Sequence, residues 1–357
     1  MKPYNVEVFT QEFQMVGNTN VNEVTYKEDY LSSDDNSIKV FAIPGVKKQD
    51  YIRISRNEEE YAGVITEVTY GTDESKQLVT IHYKPLMELL NTDVLFDTDL
   101  QGTGSIEQFI CDRITELFIE NADTKQNISG LSVEVLTQTT DWGLHITPSE
   151  KGGHYNIVNL LDSVVVPAME KYGVILKTRL DVQNKAVLVA VGRVASGTLV
   201  IESDLPNIIK KSVTIKQVSS DVNKLIIYDA KDYSQTRVYY LHSDLSYDTN
   251  DTDRLIPVVC EMKTATYDEE GSFNSAAINI AYDTFANLSY SNLIELTMQN
   301  KDGLVKPHEM EFGQEVSIIS DGVSYKSILT GREIGQNTVL VFGTVRLDLT
   351  KILKGER

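Results

Sequence analysis

Hydrophobic and polar residues alternate along Tyr51-Ile52-Arg53-Ile54, break at a polar turn from Asn57 to Glu60, and resume along Tyr61-Ala62-Gly63-Val64-Ile65-Thr66-Glu67-Val68. Alternation of this kind predicts strands with one face on a core. A third strand is predicted over Leu78 to Tyr83. Near the C-terminus the order recurs: Val316-Ser317-Ile318-Ile319, the turn Ser320-Asp321-Gly322, then strands from Tyr325 to Thr330 and from Thr338 to Val345. Laid together, Ile54 meets Ile318, Tyr61 meets Tyr325 and Thr66 meets Thr330 at one constant offset. The pattern predicts two similar β-modules in one chain, an arrangement suited to a geometric role.

The remaining pattern predicts a β-rich α+β protein. Strands Asn5 to Met15 and Ile38 to Ile43, joined by a polar arm from Gly17 to Ser37 with its own apolar piece Val21 to Tyr26, complete a first antiparallel β-barrel over residues 1–95. Lys84 to Asn91 closes it, with Pro85 at a helical first turn. Residues 96–200 read as an α/β insertion. Its helix over 105–121 opens on the capping-box pattern Ser105-Ile106-Glu107-Gln108 and carries Ile106, Phe109, Ile110, Ile114, Leu117 and Phe118 on one stripe. A strand from Leu131 to Leu136, a second helix starting near Asn156 and kinked at Pro167, and a hairpin turning at Gln183-Asn184 follow. Asp204-Leu205-Pro206 reads as a short helix start. The second barrel is expected from 201–262 plus 312–357, using strands Val213 to Lys216, Lys224 to Tyr228, Arg237 to Leu241 and Ile256 to Thr266. Residues 263–311 are expected as a small insertion with a helix from Ser275 to Asn287 and a strand from Leu293 to Met298, and Leu347 to Lys354 as an exposed tail.

Composition narrows the chemistry. The chain has 357 residues, 41% of them hydrophobic, and its longest apolar run, Ala186 to Val191, falls far short of the roughly 18 residues a bilayer span needs. The N-terminal Met1-Lys2-Pro3-Tyr4-Asn5 lacks a secretory apolar region, and two cysteines make no disulfide framework, so synthesis in a reducing cytoplasm is expected. A net charge of −19, spread along the chain, suits a solvated surface and not a grip on nucleic-acid phosphates. His145 and His154, with Asp141 and Glu150, form the one candidate metal or acid–base cluster and fit no ligand spacing. The run Asp248-Thr249-Asn250-Asp251-Thr252-Asp253 begins like a calcium loop but lacks the turn glycine and the bidentate glutamate, so it reads as a solvated turn. Gly152-Gly153 lacks the context of a phosphate cradle, and no nucleophile elbow is present. No catalytic, cofactor-binding or metal-binding residue and no cofactor is expected, and no enzyme activity.

The strand-rich N-terminus with Tyr61-Ala62-Gly63-Val64-Ile65, the helix after Gly104-Ser105, Asn223 to Tyr228 with Tyr239-Tyr240-Leu241, Asp253-Arg254-Leu255-Ile256-Pro257, Gly331-Arg332-Glu333 and Phe342-Gly343-Thr344-Val345-Arg346 together resemble the tail-associated or baseplate-hub (tail-tip) proteins of tailed phages and prophages. The resemblance is of pattern and runs over nearly the whole chain. It implies two tail-tube-like β-barrels with α/β pieces between them. It also implies a homotrimer whose six barrels dock on a hexameric tail tube or distal tail protein, close the tube, and join it to other baseplate or tail-tip proteins. DNA would be a transient passenger after opening. Such a protein is a virion tail component assembled in the bacterial host cytoplasm, without stable membrane insertion. The alternative class is a carbohydrate-binding β-protein or glycosidase fragment, against which the missing signal peptide and the lack of an aromatic platform weigh.

Overall fold

The computed structural model describes residues 3–30, 36–41, 43–57, 59–73, 76–96, 99–100, 104–140, 142, 144–145, 156–193, 199–202, 204–214, 222–242, 247–252, 254, 256, 258–267, 272–285, 293–299, 306–307, 310–320 and 322–343. His154, His308, Asp141, Glu150, Gly152-Gly153 and the expected tail Leu347 to Lys354 lie outside the described residues.

The first β-module contains β1 (Tyr4–Phe9), β2 (Met15–Val21), β3 (Tyr26–Asp29), β4 (Asn36–Phe41), β5 (Tyr51–Arg56), β6 (Glu59–Asp73) and β7 (Lys76–Pro85). Six of these form one sheet in the order β2-β1-β5-β6-β7-β4. The expected strand from Asn5 to Met15 is thus a hairpin, because the polar Thr10 to Glu12 interrupt its alternation and Phe13 N–H bonds back to Thr10 O at 2.9 Å. Leu86–Leu90 forms a single 3₁₀ turn behind Pro85.

The insertion follows as β8 (Asp93–Phe96), β9 (Asp99–Leu100), α1 (Ile106–Phe118), β10 (Leu131–Val135), β11 (Leu144–His145), β12 (Asn156–Asn159), α2 (Val166–Tyr172), β13 (Val174–Asp181) and β14 (Ala186–Arg193). α1 starts where its capping sequence says: Ser105 Oγ accepts the Gln108 N–H at 3.2 Å. Gln108 does not return the bond and instead donates to Asp112 at 2.8 Å. Its buried face is Ile106, Ile110, Cys111, Ile114 and Phe118, with Glu107 also buried, while Phe109 and Leu117 flank it. Each fully buried isoleucine side chain contributes about 1.5–3 kcal/mol. The expected helix start near Asn156 is a correction, since Asn156–Asn159 pairs with β8 as a strand. The apolar residues from Ile157 onward fit both periods, and a strand partner decided between them. Helix begins at Leu161 as a π turn over Leu161–Val165, in which Val166 N–H reaches Leu161 O. Pro167 has no N–H and its ring crowds the carbonyl four residues earlier, which accounts for the widened turn just ahead of it. Gly173 closes α2 in the left-handed region (φ 65). β13 and β14 form a hairpin, and β10 joins β14 in parallel.

The second half contains β15 (Leu199–Glu202), β16 (Ile208–Thr214), β17 (Lys224–Asp229), β18 (Thr236–Leu241), β19 (Tyr247–Asp248), β20 (Cys260–Ala265), α3 (Phe273–Phe285), β21 (Leu293–Gln299), β22 (Glu315–Ser320), β23 (Val323–Ile334) and β24 (Asn337–Phe342). Asp204 to Pro206 is a turn into β16, with Ile208 N–H bonded to Leu205 O at 2.9 Å, and not a helix start. A seven-stranded sheet orders β15-β22-β23-β24-β21-β16, with β3 from the first module added to β23. Strand membership corrects two expectations. β17, β18 and β20, expected in the second barrel, make a separate sheet β19-β18-β17-β20 whose inner face, Leu225, Ile227, Leu241 and Ala265, packs on Ala277, Ala281 and Phe285 of α3. β21, expected within the small insertion, is a full member of the second module, pairing with β16 and β24. An inner row of β-branched and aliphatic residues is equally suited to a sheet or a helix as its cover, so the strand patterns alone did not allot these pieces. The fold is β-rich α+β, and among the described residues neither large sheet closes on itself through a ladder.

The duplication is borne out residue by residue. Ile54 pairs with Tyr61 in the first module, and Ile318 pairs with Tyr325 in the second. In β6 the register passes from Ile65↔Tyr83 to Glu67↔His82, leaving Thr66 as a bulge; in β23 it passes from Leu329↔Phe342 to Gly331↔Val341, leaving Thr330 as a bulge. Ile65 N–H bonds Asp50 O and Gln49 N–H bonds Ile65 O, at 2.8 and 2.7 Å; Leu329 N–H bonds Gln314 O and Gly313 N–H bonds Leu329 O, at 3.1 and 2.8 Å. Gln49 even shares the left-handed backbone of its counterpart, φ 74 against φ 73 at Gly313.

Candidate interaction site

The histidines and carboxylates do not assemble a reactive centre among the described residues, where no group of three metal-capable side chains occurs. His145 falls in the short strand β11 and His82 in β7. His242 Nε2 lies 3.0 Å from Asp248 Oδ1, and that carboxylate also accepts Asn250 N–H at 2.6 Å, which holds its pKa below the usual range. Asn250 in turn accepts Thr252 N–H and Oγ1–H. From Asp248 to Thr252 the acidic run is therefore built as successive side-chain-capped turns, and Asp253 lies outside the described residues. Glu107 was missed as a key residue because it sits inside a capping pattern. Buried at 0% exposure, it accepts Thr139 N–H at 2.7 Å and the hydroxyls of Thr139 and Thr137 at 2.8 Å each, tying α1 to the segment after β10. Burial acts to raise its pKa, and these bonds outweigh burial and hold it below the ordinary value.

What the fold does bring together is the joint between its parts, and the polar arm makes it. β3 leaves the first module and pairs antiparallel with the end of β23, Tyr26 opposite Ile334, Lys27 opposite Glu333, Glu28 opposite Arg332 and Asp29 opposite Gly331. Tyr30 N–H then bonds Thr330 O, the carbonyl of the second bulge, at 2.8 Å. The arm stays fastened to its own module because the buried Asn36 amide brackets the Lys27 peptide, accepting its N–H at 2.6 Å and donating to its carbonyl at 2.9 Å. Tyr26 stacks on Tyr61 at 4.8 Å and on Tyr83 at 6.3 Å, and Ile334 of the second module is buried in the same core cluster. Arg332 donates through Nε and Nη2 to Glu28 Oε2, and its guanidinium lies 5.1 Å from the Phe312 ring. Burial opposes the Arg332 charge and Glu28 more than restores it, so the guanidinium is held charged. Beyond the arm strand, the Tyr30 hydroxyl enters the insertion, accepting Leu176 N–H at 3.3 Å and donating to Val174 O. One arm thus touches three parts of the chain.

Two further surfaces stand open. A cleft of about 690 Å³ lies where the first bulge meets the insertion, walled by Val64 to Glu67, His82, Lys84, Lys48 and Lys125. Tyr51 is also in its wall, with a buried hydroxyl that has no hydrogen-bond partner among the described residues and a pKa pushed up to about 12 by burial. The second surface is the outer face of the β17–β20 sheet, where Ile226 lies between Val238 and the 65%-exposed Met262. Tyr240 on that face lies under Lys224 and Arg254, at 5.8 and 5.5 Å. No helix among the described residues is long and apolar enough to cross a membrane.

No family model matches the sequence, and no curated protein matches it. Among solved structures the fold is similar to a tail protein from Neisseria meningitidis MC58, at 11% identity and a TM-score of 0.57, covering 96% of each chain. It is also similar to the tail protein of prophage MuSo2 from Shewanella oneidensis, at 13% identity and a TM-score of 0.55, covering 95% of this chain and 98% of that one. A prophage tail protein from Listeria monocytogenes EGD-e is similar at 14% identity and a TM-score of 0.53, covering 98% of this chain and 100% of that one. Over nearly its whole length the fold is thus similar to that of these tail proteins.

Proposed function

We propose that the chain is a structural component of a phage or prophage tail, the hub at the distal end of the tail tube, with no enzymatic activity of its own. Three copies would form a ring of six β-modules, each module curling toward a barrel, that docks on the six-fold tube and distal tail protein. The ring would close the tube, join it to the baseplate or tail tip, and pass DNA after opening. The observation that carries the reading is the register-for-register equivalence of β5–β7 with β22–β24, bulge for bulge. Near-equivalent surfaces twice per chain let a three-fold assembly face a six-fold one without a symmetry mismatch. In this reading residues 1–95 and 96–200 are the first module and the insertion, and the second module is split around the unit formed by β17–β20 and α3.

Each copy carries −19, so a trimer gathers three times that charge, −57, around one axis. Salt screens such repulsion over about 8 Å at physiological strength and about 3 Å at 1 M. A trimer that strengthens with salt and concentration is therefore expected by light scattering, with negative-stain images showing a ring with a central hole. A monomer under every condition, and no ring on added tail tube, would overturn the hub reading.

A further inference from the structure

Past the shared bulge the two modules differ in what lies along the strand edge. Past its bulge, β23 is covered: Thr330, Gly331 and Ile334 are buried, and Arg332 and Glu333 half-buried, because β3 lies along that edge. The equivalent stretch of β6 is Thr66, Glu67, Val68, Thr69 and Tyr70, paired to β7 in the same register that β23 keeps with β24. Here Glu67, Thr69 and Tyr70 are exposed, Tyr70 to 61% where its counterpart Ile334 is 2% exposed. Among the described residues no strand pairs with this edge beyond Ile65, although the Tyr70 hydroxyl touches Val46 O at 3.4 Å. An unpaired edge presents a row of N–H and C=O groups to any extended segment of matching direction. The cleft of about 690 Å³ opens at its first residues, Thr66 and Glu67.

We infer that the free edge of β6 from Glu67 to Gly71 is a strand seat filled by an extended segment of a second copy of this chain. The inference rests on the hub reading. Within one chain the first module lends its arm to the second module, and in a closed ring the second module's nearest equivalent acceptor is the first module of the next copy. The internal pairing of β3 with β23 thus states the geometry of the contact between copies: antiparallel, starting one residue past the bulge, and about four residues long by analogy with the arm.

Thr69 and Tyr70 are adjacent, so their N–H groups point to opposite edges of β6, one toward β7 and one outward. Thr69→Pro and Tyr70→Pro each remove one of these donors. One variant is expected to fold with an unchanged melting temperature yet fail to associate, and the other to lose stability. In the assembled natural chain, outward amides between Glu67 and Gly71 should exchange with solvent about ten-fold more slowly, or slower still, than in the monomer. A trimer with these amides unprotected, and with the variant that keeps its melting temperature associating normally, overturns the seat and leaves the hub reading standing. A monomer at every concentration overturns both. Protection that appears only when tail-tube protein is added also overturns the inference, since the occupant is then a different protein.

Discussion

Arg332 and Glu28, from opposite ends of the chain, meet side-on at 2.8 Å with 16% and 18% of their side chains exposed. The pair pins the arm of the first module to the second module's bulged strand. Removing one member leaves the other's charge half-buried, which costs about 3 kcal/mol, whereas replacing both by apolar residues of similar size is far less harmful. Arg332→Leu is therefore expected to lower stability by about that amount, and Glu28→Leu in the same chain to restore much of it. Urea unfolding of the single and double variants checks this, and additive losses would show that the two side chains do not act as a pair.

Glu107 makes a prediction with a defined sign. Its pKa is depressed in the folded chain, so it adds stability that is fully present above the ordinary glutamate value of 4.5 and is lost as pH falls below it. Glu107→Gln should be less stable than the natural chain at neutral pH by about 2 kcal/mol, the order of a charged group's hydrogen bonds. The gap should narrow as pH drops below 4.5. Melting curves from pH 7 to pH 3 would expose a gap that stays constant, which would mean that the carboxylate's charge contributes nothing.

The buried face of α1 separates two substitutions on one helix. Ile110 is 0% exposed, and an unpaired charge there costs several kcal/mol against a typical domain stability of about 5–15 kcal/mol. Ile110→Asp is expected to unfold the insertion. Asp112→Ala loses only an exposed bond from Gln108 and should stay within about 0.5 kcal/mol. Phe109→Asp should fall between, because Phe109 is half-buried against Trp142 at a ring distance of 5.0 Å. Circular dichroism of the three variants would place them in that order, and equal melting of Ile110→Asp and Asp112→Ala would contradict the helical phase.

The two cysteines should react very differently. Cys260 is exposed on the outer sheet face, while Cys111 is buried and its thiol is pushed up to about 11 by burial, with the charges of Asp112 and Glu107 adding to the effect. A maleimide at neutral pH should label Cys260 alone in the native chain and both cysteines after unfolding. Peptide mapping that finds Cys111 labelled as fast as Cys260 in the native protein would show the insertion core to be open.

The sequence by itself determined the local elements. Strand alternation at Tyr51–Arg56, the glycine and asparagine turns, and the serine cap of α1 act within a few residues, where backbone sterics and side-chain spacing leave little choice. Even the duplication was legible, since Ile54, Tyr61 and Thr66 mark register positions that recur in Ile318, Tyr325 and Thr330. The tertiary structure decided which edges meet. Residues 156–159 became a strand because β8 offered a partner, and β17, β18 and β20 left the second module because α3 covered their inner face. Tyr26–Asp29 reads in sequence as part of a polar arm, yet it completes a sheet built from residues at the far end of the chain. A sheet edge is made of backbone N–H and C=O groups that every residue but proline carries alike. Side-chain pattern therefore selects the face a strand buries, and only the assembled packing selects the neighbour it bonds to.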